Sequence, residues 1–510
     1  MLPPEERLVG AQLHRYIGDK LYWVLHAPRQ TGKTTFLQSW MREINSGEEA
    51  LACYVTVERC QGVTDVGRAM PAICSSIKGW AKIYKLPVPT SSDAQPESML
   101  NAILENWSAI VAPKPLIVLF DEVDVLQGET LISFLRQLRD GFAGRGVGTF
   151  PVSIALVGMR DLKDYITAAK GGIPVNPGSP FNVKTDSASI SNFQKDDISR
   201  LFAQRTAETG QTITQDALDY VYEQSKGQPW IVNSLFQRAT MRILDEANTE
   251  TVTVEHVEEA REQMIQARET HLDALAYRLE DPRIRSVMES LLTGEPDPLL
   301  AQGEPFRLCL DLGLVSVERG TPQVANPIYR EVIAREITYG AQLAIPEPEW
   351  KWEKPDGTLD MDALLNAFQS FWQNNSEVWE EKLDYSEAFP HLLLMAFLQR
   401  ITNGSGRIER EYAAGRGRMD LAVEYHGQWN IIEIKLLRQG KAFETLMEEG
   451  ITQTLGYRER LSQQPGIAAR TKGKEPVRCY LVIFDRRPEK PVWSERLKWI
   501  SSGGVTVVGC

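Results

Sequence analysis

The sequence has few cysteines, no membrane-length apolar run and no basic leader at its N-terminus. Its 510 residues include six cysteines, none in a Cys-x-x-Cys pair. That set is too sparse for a disulfide framework and favours a reducing compartment. No apolar stretch reaches the roughly 20 residues that a membrane-spanning helix needs, and the first seven residues do not have a signal-peptide pattern. We therefore expect a cytoplasmic protein that does not associate with membranes.

Charge is unevenly distributed along the chain. The formal net charge of −12 disfavours a general polyanion binder. Residues 381–510 nevertheless hold 20 Lys and Arg against 16 Asp and Glu, so the acidic surplus lies in the first 380 residues. A partner with a phosphate backbone would therefore be expected at the C-terminal part of the chain.

The pattern of apolar runs divides the chain into four parts. Residues 1–190 alternate apolar runs with helical patterns, which predicts a parallel α/β sheet with strands at 22–26, 52–57, 116–121 and 152–157. Residues 191–345 read as amphipathic helices followed by a small hairpin, which suggests a helical and winged-helix lid. Residues 346–357, rich in proline and charge, form the best linker candidate, and 358–510 form a second α/β unit.

A phosphate-binding loop is predicted after the first strand. It consists of Pro28, Arg29, Gln30, Thr31, Gly32, Lys33, Thr34 and Thr35. A strand, a tight loop and a helix N-terminus bring backbone N–H groups together around a triphosphate. Lys33 is expected to reach the β- and γ-phosphates and Thr34 to ligate Mg²⁺. Ala27 stands where the first glycine of such loops is usual, which Ala tolerates if its φ is negative.

An acidic pair supports this prediction. The apolar run at 116–121 ends in Asp121, which can bind Mg²⁺ through water, and Glu122 follows as the candidate base for the attacking water. The alternative is a site that binds nucleotide without turnover. Glu122 favours hydrolysis.

Residues 15–340 resemble the archaeal-type ATPase and STAND branch of the AAA-like P-loop proteins. The resemblance is carried by the loop at 28–34, Asp121-Glu122, Gly158-Met159-Arg160-Asp161 and Gly227-Gln228-Pro229. It implies that the chain binds ATP with Mg²⁺ and forms homo-oligomers. It also implies that Arg160 senses the γ-phosphate, although a surface arginine is an equal alternative. Residues 271–340 hold 7 Lys and Arg against 11 Asp and Glu, so the winged helix is expected to be a lid or an oligomer contact rather than a DNA reader.

A second cluster is predicted near the C-terminus. Segments 418–425 and 429–436 alternate like strands, and a type II′ turn at Gly427-Gln428 would set Asp420 opposite Lys435. Asp420, Glu433 and Lys435 would then share one sheet face. The two carboxylates, with the Ile434 carbonyl, suit Mg²⁺ or Mn²⁺, and Lys435 could orient the attacking water. The alternative is an exposed ladder of salt bridges.

Residues 380–485 resemble the PD-(D/E)xK nuclease superfamily. The match lies in 415–421, where Met419 replaces the proline, and in Glu433-Ile434-Lys435. The resemblance implies a further metal-binding acid on the preceding helix, for which Glu387 fits best. RecB-like branches add Gln-x-x-x-Tyr, matched by Gln453 and Tyr457. Basic residues that could follow a nucleic-acid backbone are Arg407, Arg410, Arg416, Arg418, Arg470, Lys472, Lys474 and Arg478.

Together these patterns predict an α/β chain that combines a P-loop parallel sheet, a helical and winged-helix lid and a restriction-endonuclease-like α/β domain. The function predicted is an ATP-dependent, divalent-metal-dependent nuclease, with DNA favoured over RNA as substrate. By resemblance, such fusions suit bacterial defence or mobile-element biology. The alternative is a nucleotide-gated switch or scaffold whose nuclease-like domain binds nucleic acid without cutting it.

Overall fold

A computed structural model describes residues 4–510, with gaps. The gaps are 10–12, 48, 91–92, 148, 160–185, 245–248, 268–271, 273–274, 276, 293–302, 345–351, 383–388, 403–405, 415–416, 463–476, 486 and 488–491. Within helices and strands, the side chains at 4–5, 147, 186, 338–344, 375–382, 389, 392, 399–402, 406–414 and 417–419 also lie outside the described part. The chain divides into a first compact unit, Met1–Glu269 with Gln302–Ile328, and a second, Thr270–Ala301 with Tyr329–Cys510.

The first unit is built on a six-stranded sheet. Its strands are β1 (Leu8–Val9), β2 (Tyr22–His26), β3 (Leu51–Thr56), β4 (Leu116–Asp121), β5 (Ser153–Gly158) and β6 (Asp186–Ile190). Their order is β1-β6-β2-β5-β4-β3, and all neighbours are parallel except β1 and β6. This confirms the predicted parallel sheet; two predicted strands are shifted by one residue. Helices cover both faces, which explains the uninterrupted apolar runs.

Helices on the two faces of this sheet enclose separate hydrophobic cores. The helices are α1 (Leu13–Gly18), α2 (Lys33–Ser46), α3 (Val66–Ile83), α4 (Pro96–Val111) and α5 (Gly128–Gly141). One core contains Trp107 and Phe134 with residues of α3, α4 and α5. The other contains Trp23 and Trp40 with residues of α1 and α2. Successive residues of β2 alternate between the two cores, as the pleat requires.

A helical segment follows the sheet. It comprises α6 (Lys195–Thr209), α7 (Gln215–Ser225), α8 (Pro229–Gln237), a π-helix (Arg238–Ile243) and α9 (Val254–Gln266). The turn before α8 depends on Gly227, whose φ is +72°. The N–H of Phe193 donates to the Gly227 carbonyl at 2.8 Å, and the Phe193 backbone fills the space that a Cβ at 227 would need. This contact ties the helical segment to the chain leaving β6.

The predicted hairpin is present near the end of the first unit. Helix α11 (Glu304–Asp311) precedes β7 (Val315–Glu318) and β8 (Thr321–Val324). The two turn residues, Arg319 and Gly320, both have positive φ, 50° and 82°, as a type I′ turn requires. Helix α10 (Pro282–Leu292) lies in the second unit, as does most of α12 (Pro327–Ala344). The elements between 191 and 345 are thus divided between the two units, and a winged-helix lid over this range stays a prediction.

The second unit contains another six-stranded sheet. Its strands are β9 (Gly406–Ala414), β10 (Gly417–Tyr425), β11 (Gln428–Leu437), β12 (Val477–Asp485), β13 (Lys498–Ser502) and β14 (Val505–Gly509). Their order is β13-β14-β12-β11-β10-β9, with β12 parallel to both of its neighbours. The helices are α13 (Met361–Lys382), α14 (Phe389–Thr402), α15 (Phe443–Ser462) and α16 (Trp493–Arg496). No helix in the described part of the chain is long and apolar enough to cross a membrane.

Part of the predicted linker at 346–357 is docked on this second sheet. Glu353 forms a β-bridge with Leu359. The Tyr425 hydroxyl of β10 donates to Glu353 Oε2 at 3.1 Å. Residues 352–357 therefore pack with the second unit and are not a loose linker, because the backbone and the carboxylate of Glu353 are hydrogen-bonded to it.

The β10–β11 hairpin corrects the predicted register. Its turn residues are His426 and Gly427, with φ of 47° and 83°, and Glu424 lies opposite Trp429. The prediction of a type II′ turn at Gly427-Gln428 was wrong, because His426 adopts the left-handed conformation and the turn is type I′, which matches the twist of the strands. The Gly427 N–H also donates to Glu424 Oε1 at 2.7 Å, which fastens this turn.

This correction moves each pairing by two residues. Extending the observed register by one residue sets Asp420 opposite Glu433, where the prediction set it opposite Lys435. Because side chains alternate with a period of two, an even shift changes the partners but not the face. Asp420, Glu433 and Lys435 therefore remain on one face of the sheet, as predicted.

Replacing Gly227 by Ala should severely destabilise the first unit. The new methyl group would collide with the Phe193 backbone, which cannot rotate away, and the φ of +72° is itself unfavourable for Ala. We expect a loss of at least about 3 kcal/mol in the free energy of unfolding. Gly210→Ala is the matched control, since its φ is +77° but no atom lies within 4 Å; about 1 kcal/mol is expected there. Denaturant unfolding followed by circular dichroism measures both, and equal losses would contradict the steric explanation.

Candidate functional site

The phosphate loop lies between β2 and α2, as predicted. Gly32 is the N-cap residue of α2, with φ of 98°. A Cβ at this position would lie 2.8 Å from Arg7 Nη2, the end of a long side chain, so it is the left-handed conformation that favours glycine here. The first N–H groups of α2 have no partner within the helix, and they lie where the loop ends. Arg29, Gln30 and Thr35 are exposed, whereas Thr31 is buried.

Lys33 is held over the loop. Its ammonium donates to the carbonyl oxygens of Ala27 at 2.6 Å and Pro28 at 2.8 Å. Burial lowers the pKa of Lys33 to about 8, against the opposing effect of Asp121 and Asp124 nearby. A buried ammonium without a full counter-charge is costly. An anionic ligand in the loop would therefore favour the charged form of Lys33.

Asp121 is the centre of a hydrogen-bond network at the end of β4. It is 1% exposed. Its Oδ2 accepts from the Thr34 hydroxyl at 2.7 Å and from the Tyr54 hydroxyl at 3.1 Å, and its Oδ1 accepts from the Glu122 N–H at 2.9 Å. Burial and the adjacent Asp121 raise the pKa of Tyr54, so that its hydroxyl stays a donor. The two residues proposed for Mg²⁺, Thr34 and Asp121, are thus in direct contact.

Glu122 follows in a left-handed conformation, with φ of 60°. Its Oε2 accepts from the Thr56 hydroxyl at 2.9 Å. Burial raises the pKa of Glu122, and the bond from Thr56 opposes that rise. A carboxylate whose pKa is moved toward neutrality is better matched to removing a proton from water. The position and environment of Glu122 suit the predicted base.

A cavity of about 790 Å³ opens over these groups. Its size is within the range of small-molecule sites. Besides the loop and the acids, the helical segment contributes Leu201, Pro229, Trp230 and Asn233 to the lining. Met159 also lines the cavity, but Arg160, the predicted γ-phosphate sensor, lies outside the described residues.

Arg7 also lines this cavity, and no sequence pattern indicates it. Its guanidinium donates from Nη2 to the Thr31 carbonyl at 2.9 Å and from Nη1 to the Ser191 carbonyl at 3.0 Å, and it lies 4.7 Å from the centre of the Phe193 ring. Burial lowers the pKa of Arg7. Its partners are distant in the sequence, so no local pattern indicates this role. The same holds for Tyr54 and Thr56, whose partners lie 67 and 66 residues away.

The second candidate site lies on the β10–β11 face. Asp420 Oδ2 accepts from the Ile434 N–H at 2.7 Å. Glu433 is 3% exposed, and its Oε1 is 2.8 Å from Lys435 Nζ. Burial raises the pKa of Glu433, and Lys435 opposes that rise. The ion pair is largely buried, which disfavours the alternative of an exposed salt-bridge ladder.

One oxygen of this site is unsatisfied. Glu433 Oε2 is buried and has no hydrogen-bond partner among the described residues. A buried carboxylate oxygen left in this way is unfavourable, and a divalent cation held with Asp420 would offset the cost. The residues present therefore fit a hard cation. Among the described residues, however, no group of three or more His, Cys, Asp or Glu is arranged to hold a metal ion.

Helix α15 brings Tyr457 to the same face. Tyr457 is buried, and burial, with Glu433 and Asp420 adding to it, raises its pKa to about 12. The Arg460 guanidinium lies 5.0 Å from the centre of the Tyr457 ring. Gln453, one turn earlier, is exposed.

Several predicted residues of this site cannot be placed. Glu387, Arg416, Arg470, Lys472 and Lys474 lie outside the described residues, as do the side chains of Arg407, Arg410 and Arg418. Arg478 is half-buried on β12. Ile434 lies on β11 opposite Val482, and whether its carbonyl serves a metal stays a prediction.

Comparison with known proteins gives only distant structural likenesses. No protein-family model matches the chain, and no curated protein matches its sequence. The chain is similar to a Walker-type ATPase of Pyrococcus abyssi, with 14% identity and a TM-score of 0.45 over 63% of this chain and 93% of that one. It is also similar to Cdc6p from Pyrobaculum aerophilum, with 13% identity and a TM-score of 0.35 over 64% and 91%. The RuvB Holliday junction branch migration motor of Thermotoga maritima shows 12% identity and a TM-score of 0.34 over 66% and 92%. These values are too low to extend to function.

Removing the Lys435 ammonium should destabilise the second unit in a pH-dependent way. Lys435→Met leaves the buried Glu433 carboxylate without its cation, and we expect a loss of about 2 to 3 kcal/mol at pH 8. The folded-state pKa of Glu433 then lies further above its unfolded value of about 4.3. Folding thus favours the protonated form, so the loss should shrink as the pH falls through the folded-state pKa.

Denaturant unfolding at pH 5 and pH 8 measures this effect. The double variant Lys435→Met/Glu433→Gln is the control, because without the carboxylate it should show no such pH dependence. A loss that is equal at both pH values in Lys435→Met would contradict the assignment of the buried pair.

Proposed function

We propose that the chain is an ATP-dependent, divalent-metal-dependent nuclease that cleaves DNA. ATP would be hydrolysed in the first unit and the phosphodiester bond cut in the second. The observation that carries the nuclease half is Glu433 Oε2, buried without a partner beside Asp420 and Lys435. The proposal retains the division into an ATPase core (1–190), a lid (191–345), a linker (346–357) and a nuclease-like domain (358–510). Self-association and a role in defence or mobile elements are part of it.

In the ATPase half, each group has a separate task. Lys33 would leave the carbonyl oxygens of Ala27 and Pro28 to bind phosphate oxygens, which removes the cost of its burial. Thr34 and Asp121 would hold Mg²⁺, which supplies charge neutralisation for the phosphates. Glu122 would accept the proton of the attacking water, and the Thr56 hydroxyl keeps that carboxylate in place.

In the nuclease half, Asp420 and Glu433 would hold Mg²⁺ or Mn²⁺, which supplies Lewis-acid stabilisation of the phosphate. Lys435 would orient the attacking water and stabilise negative charge. Tyr457, on the same face, would position the backbone phosphate. The basic surplus in residues 381–510 suits a nucleic-acid backbone, because backbone contacts of this kind do not depend on base sequence. The preference for DNA over RNA rests on the resemblance to the nuclease superfamily.

A second candidate function is a nucleotide-gated switch whose nuclease-like domain binds nucleic acid without cutting it. The observation that favours it is the small ligand set: no third His, Cys, Asp or Glu of the described residues joins Asp420 and Glu433 at this site. Incubating plasmid and single-stranded DNA with Mg²⁺ or Mn²⁺, with and without ATP, separates the two candidates. Binding without cleavage under every condition would favour the switch.

The ATPase half predicts different defects for two variants. Lys33→Ala should weaken ATP binding and abolish hydrolysis, because it removes the ammonium expected to contact the β- and γ-phosphates. Glu122→Gln should bind ATP with near-normal affinity but lower kcat by roughly 10²- to 10⁴-fold, since only the base is lost. Phosphate release and nucleotide-binding assays measure these effects. Glu105→Gln, an exposed acid on α4, is the control. Normal hydrolysis by Glu122→Gln would show that another group is the base.

The nuclease half predicts that Asp420→Ala, Glu433→Ala and Lys435→Ala each abolish DNA cleavage while ATP hydrolysis is retained. The first two should also weaken Mn²⁺ binding, because each removes an oxygen ligand. Lys435→Ala should leave Mn²⁺ bound, or bind it more tightly, since a competing cation is removed. Plasmid nicking and calorimetric titration with Mn²⁺ measure the two properties.

The control for the nuclease variants is Glu448→Gln, which replaces an exposed acid on α15 and should have no effect. Equal loss of Mn²⁺ binding in all three variants would mean that Lys435 is structural. Full cleavage by Glu433→Ala would rule out the nuclease site.

A further inference from the structure

Tyr54 contacts the carboxylate proposed to hold Mg²⁺, although no sequence pattern marks it. It lies on β3, 4% exposed, and its hydroxyl is 3.1 Å from Asp121 Oδ2. The register pairs Thr56 with Asp121. Because side chains on one face repeat every second residue, Tyr54, Thr56 and Asp121 share a face. This is also the face on which α2 places Thr34, 2.7 Å from the same oxygen.

The bonds to Asp121 are not equivalent once a cation arrives. A carboxylate has about four acceptor positions, and those of Asp121 accept from Thr34, Tyr54 and the Glu122 N–H. The Thr34 hydroxyl has one O–H and two lone pairs, so it can donate to Asp121 while it ligates a metal ion, and its position then follows the metal. Tyr54 is not a candidate ligand, so its bond, with the backbone bond from Glu122, holds the plane of the carboxylate independently of the metal.

The Tyr54 ring is itself held in place. It makes an edge-to-face contact with Trp80, with the ring centres 5.1 Å apart, and Trp80 stacks on Tyr84. The hydroxyl therefore has little freedom to lose when a ligand binds. A partner of this kind improves metal affinity by orienting the ligand before the metal arrives.

We propose that Tyr54 is a positioning residue for the magnesium–nucleotide complex, and that it acts by fixing the orientation of the Asp121 carboxylate. This inference rests on the proposed ATP-binding function of the first unit. If Tyr54 acts in this way, loss of its hydroxyl should change how ATP affinity depends on Mg²⁺, but not ATP affinity in the absence of Mg²⁺. Loss of a purely structural hydroxyl would not have this effect.

The test is Tyr54→Phe in the full-length chain, which removes the hydroxyl and keeps the ring against Trp80. ATP affinity is measured with EDTA and then across a Mg²⁺ titration. With EDTA we expect affinity within about twofold of the original protein. The Mg²⁺ concentration giving half of the gain in affinity should rise roughly tenfold, which is within the range for losing a partner of a metal ligand.

Tyr22→Phe is the matched control. Its hydroxyl is also buried in the same sheet, where it donates to the Pro151 carbonyl at 3.0 Å. Removing it costs a comparable hydrogen bond but should leave the Mg²⁺ dependence unchanged. Thermal unfolding of both variants shows whether their stabilities are similar.

A double-mutant cycle tests whether Tyr54 acts through the Asp121 carboxylate. In the Asp121→Asn background, adding Tyr54→Phe should cause no further change in the Mg²⁺ dependence, because the carboxylate on which Tyr54 acts is gone. An additive effect would overturn the inference. So would an unchanged Mg²⁺ dependence in Tyr54→Phe, or failure of Tyr54→Phe to fold while Tyr22→Phe folds. If the original protein binds ATP without any response to Mg²⁺, the proposed function of the site fails as well.

Discussion

The architecture of the first unit depends on the buried carboxylate of Asp121. It joins the end of β4 to α2 through Thr34, and to β3 through Tyr54. A buried charge is tolerated only when hydrogen bonds satisfy it, so the ends of these elements must stay together. That requirement places the phosphate loop next to the acids. Lys33 and Glu122, which carry the chemistry of the proposal, are thereby held at one end of the sheet with perturbed pKa values.

The second unit also contains a buried carboxylate, but its partners satisfy it less completely. Burial of Glu433 is opposed by Lys435, whose ammonium lies 2.8 Å from one carboxylate oxygen, and by the Asp420 backbone, whereas the other oxygen has no hydrogen-bond partner among the described residues. A structural ion pair would normally satisfy both. This unsatisfied oxygen is the feature on which the proposed metal site rests.

The two sites differ in how much local sequence reveals about them. The phosphate loop and Asp121-Glu122 are recognisable because each follows an apolar strand directly. Tyr54, Thr56 and Arg7 are not, because each acts on residues far away in the sequence. Tyrosine, threonine and arginine are common in strands and surface segments, so the residue types alone do not indicate a role. Only the strand order, which brings β3 beside β4 and β1 beside β6, gives them a role.

The sequence by itself determined the parallel sheet of the first unit, the place of the phosphate loop and the shared face of Asp420, Glu433 and Lys435. These follow from periodicity, which depends on residues a few positions apart. The tertiary structure decided the hairpin register, the docking of 352–357 and the network around Asp121. A type I′ turn at His426 required a left-handed histidine that its neighbours in sequence do not demand. The partners of Asp121 come from separate strands, and their proximity results from packing, which local pattern does not encode.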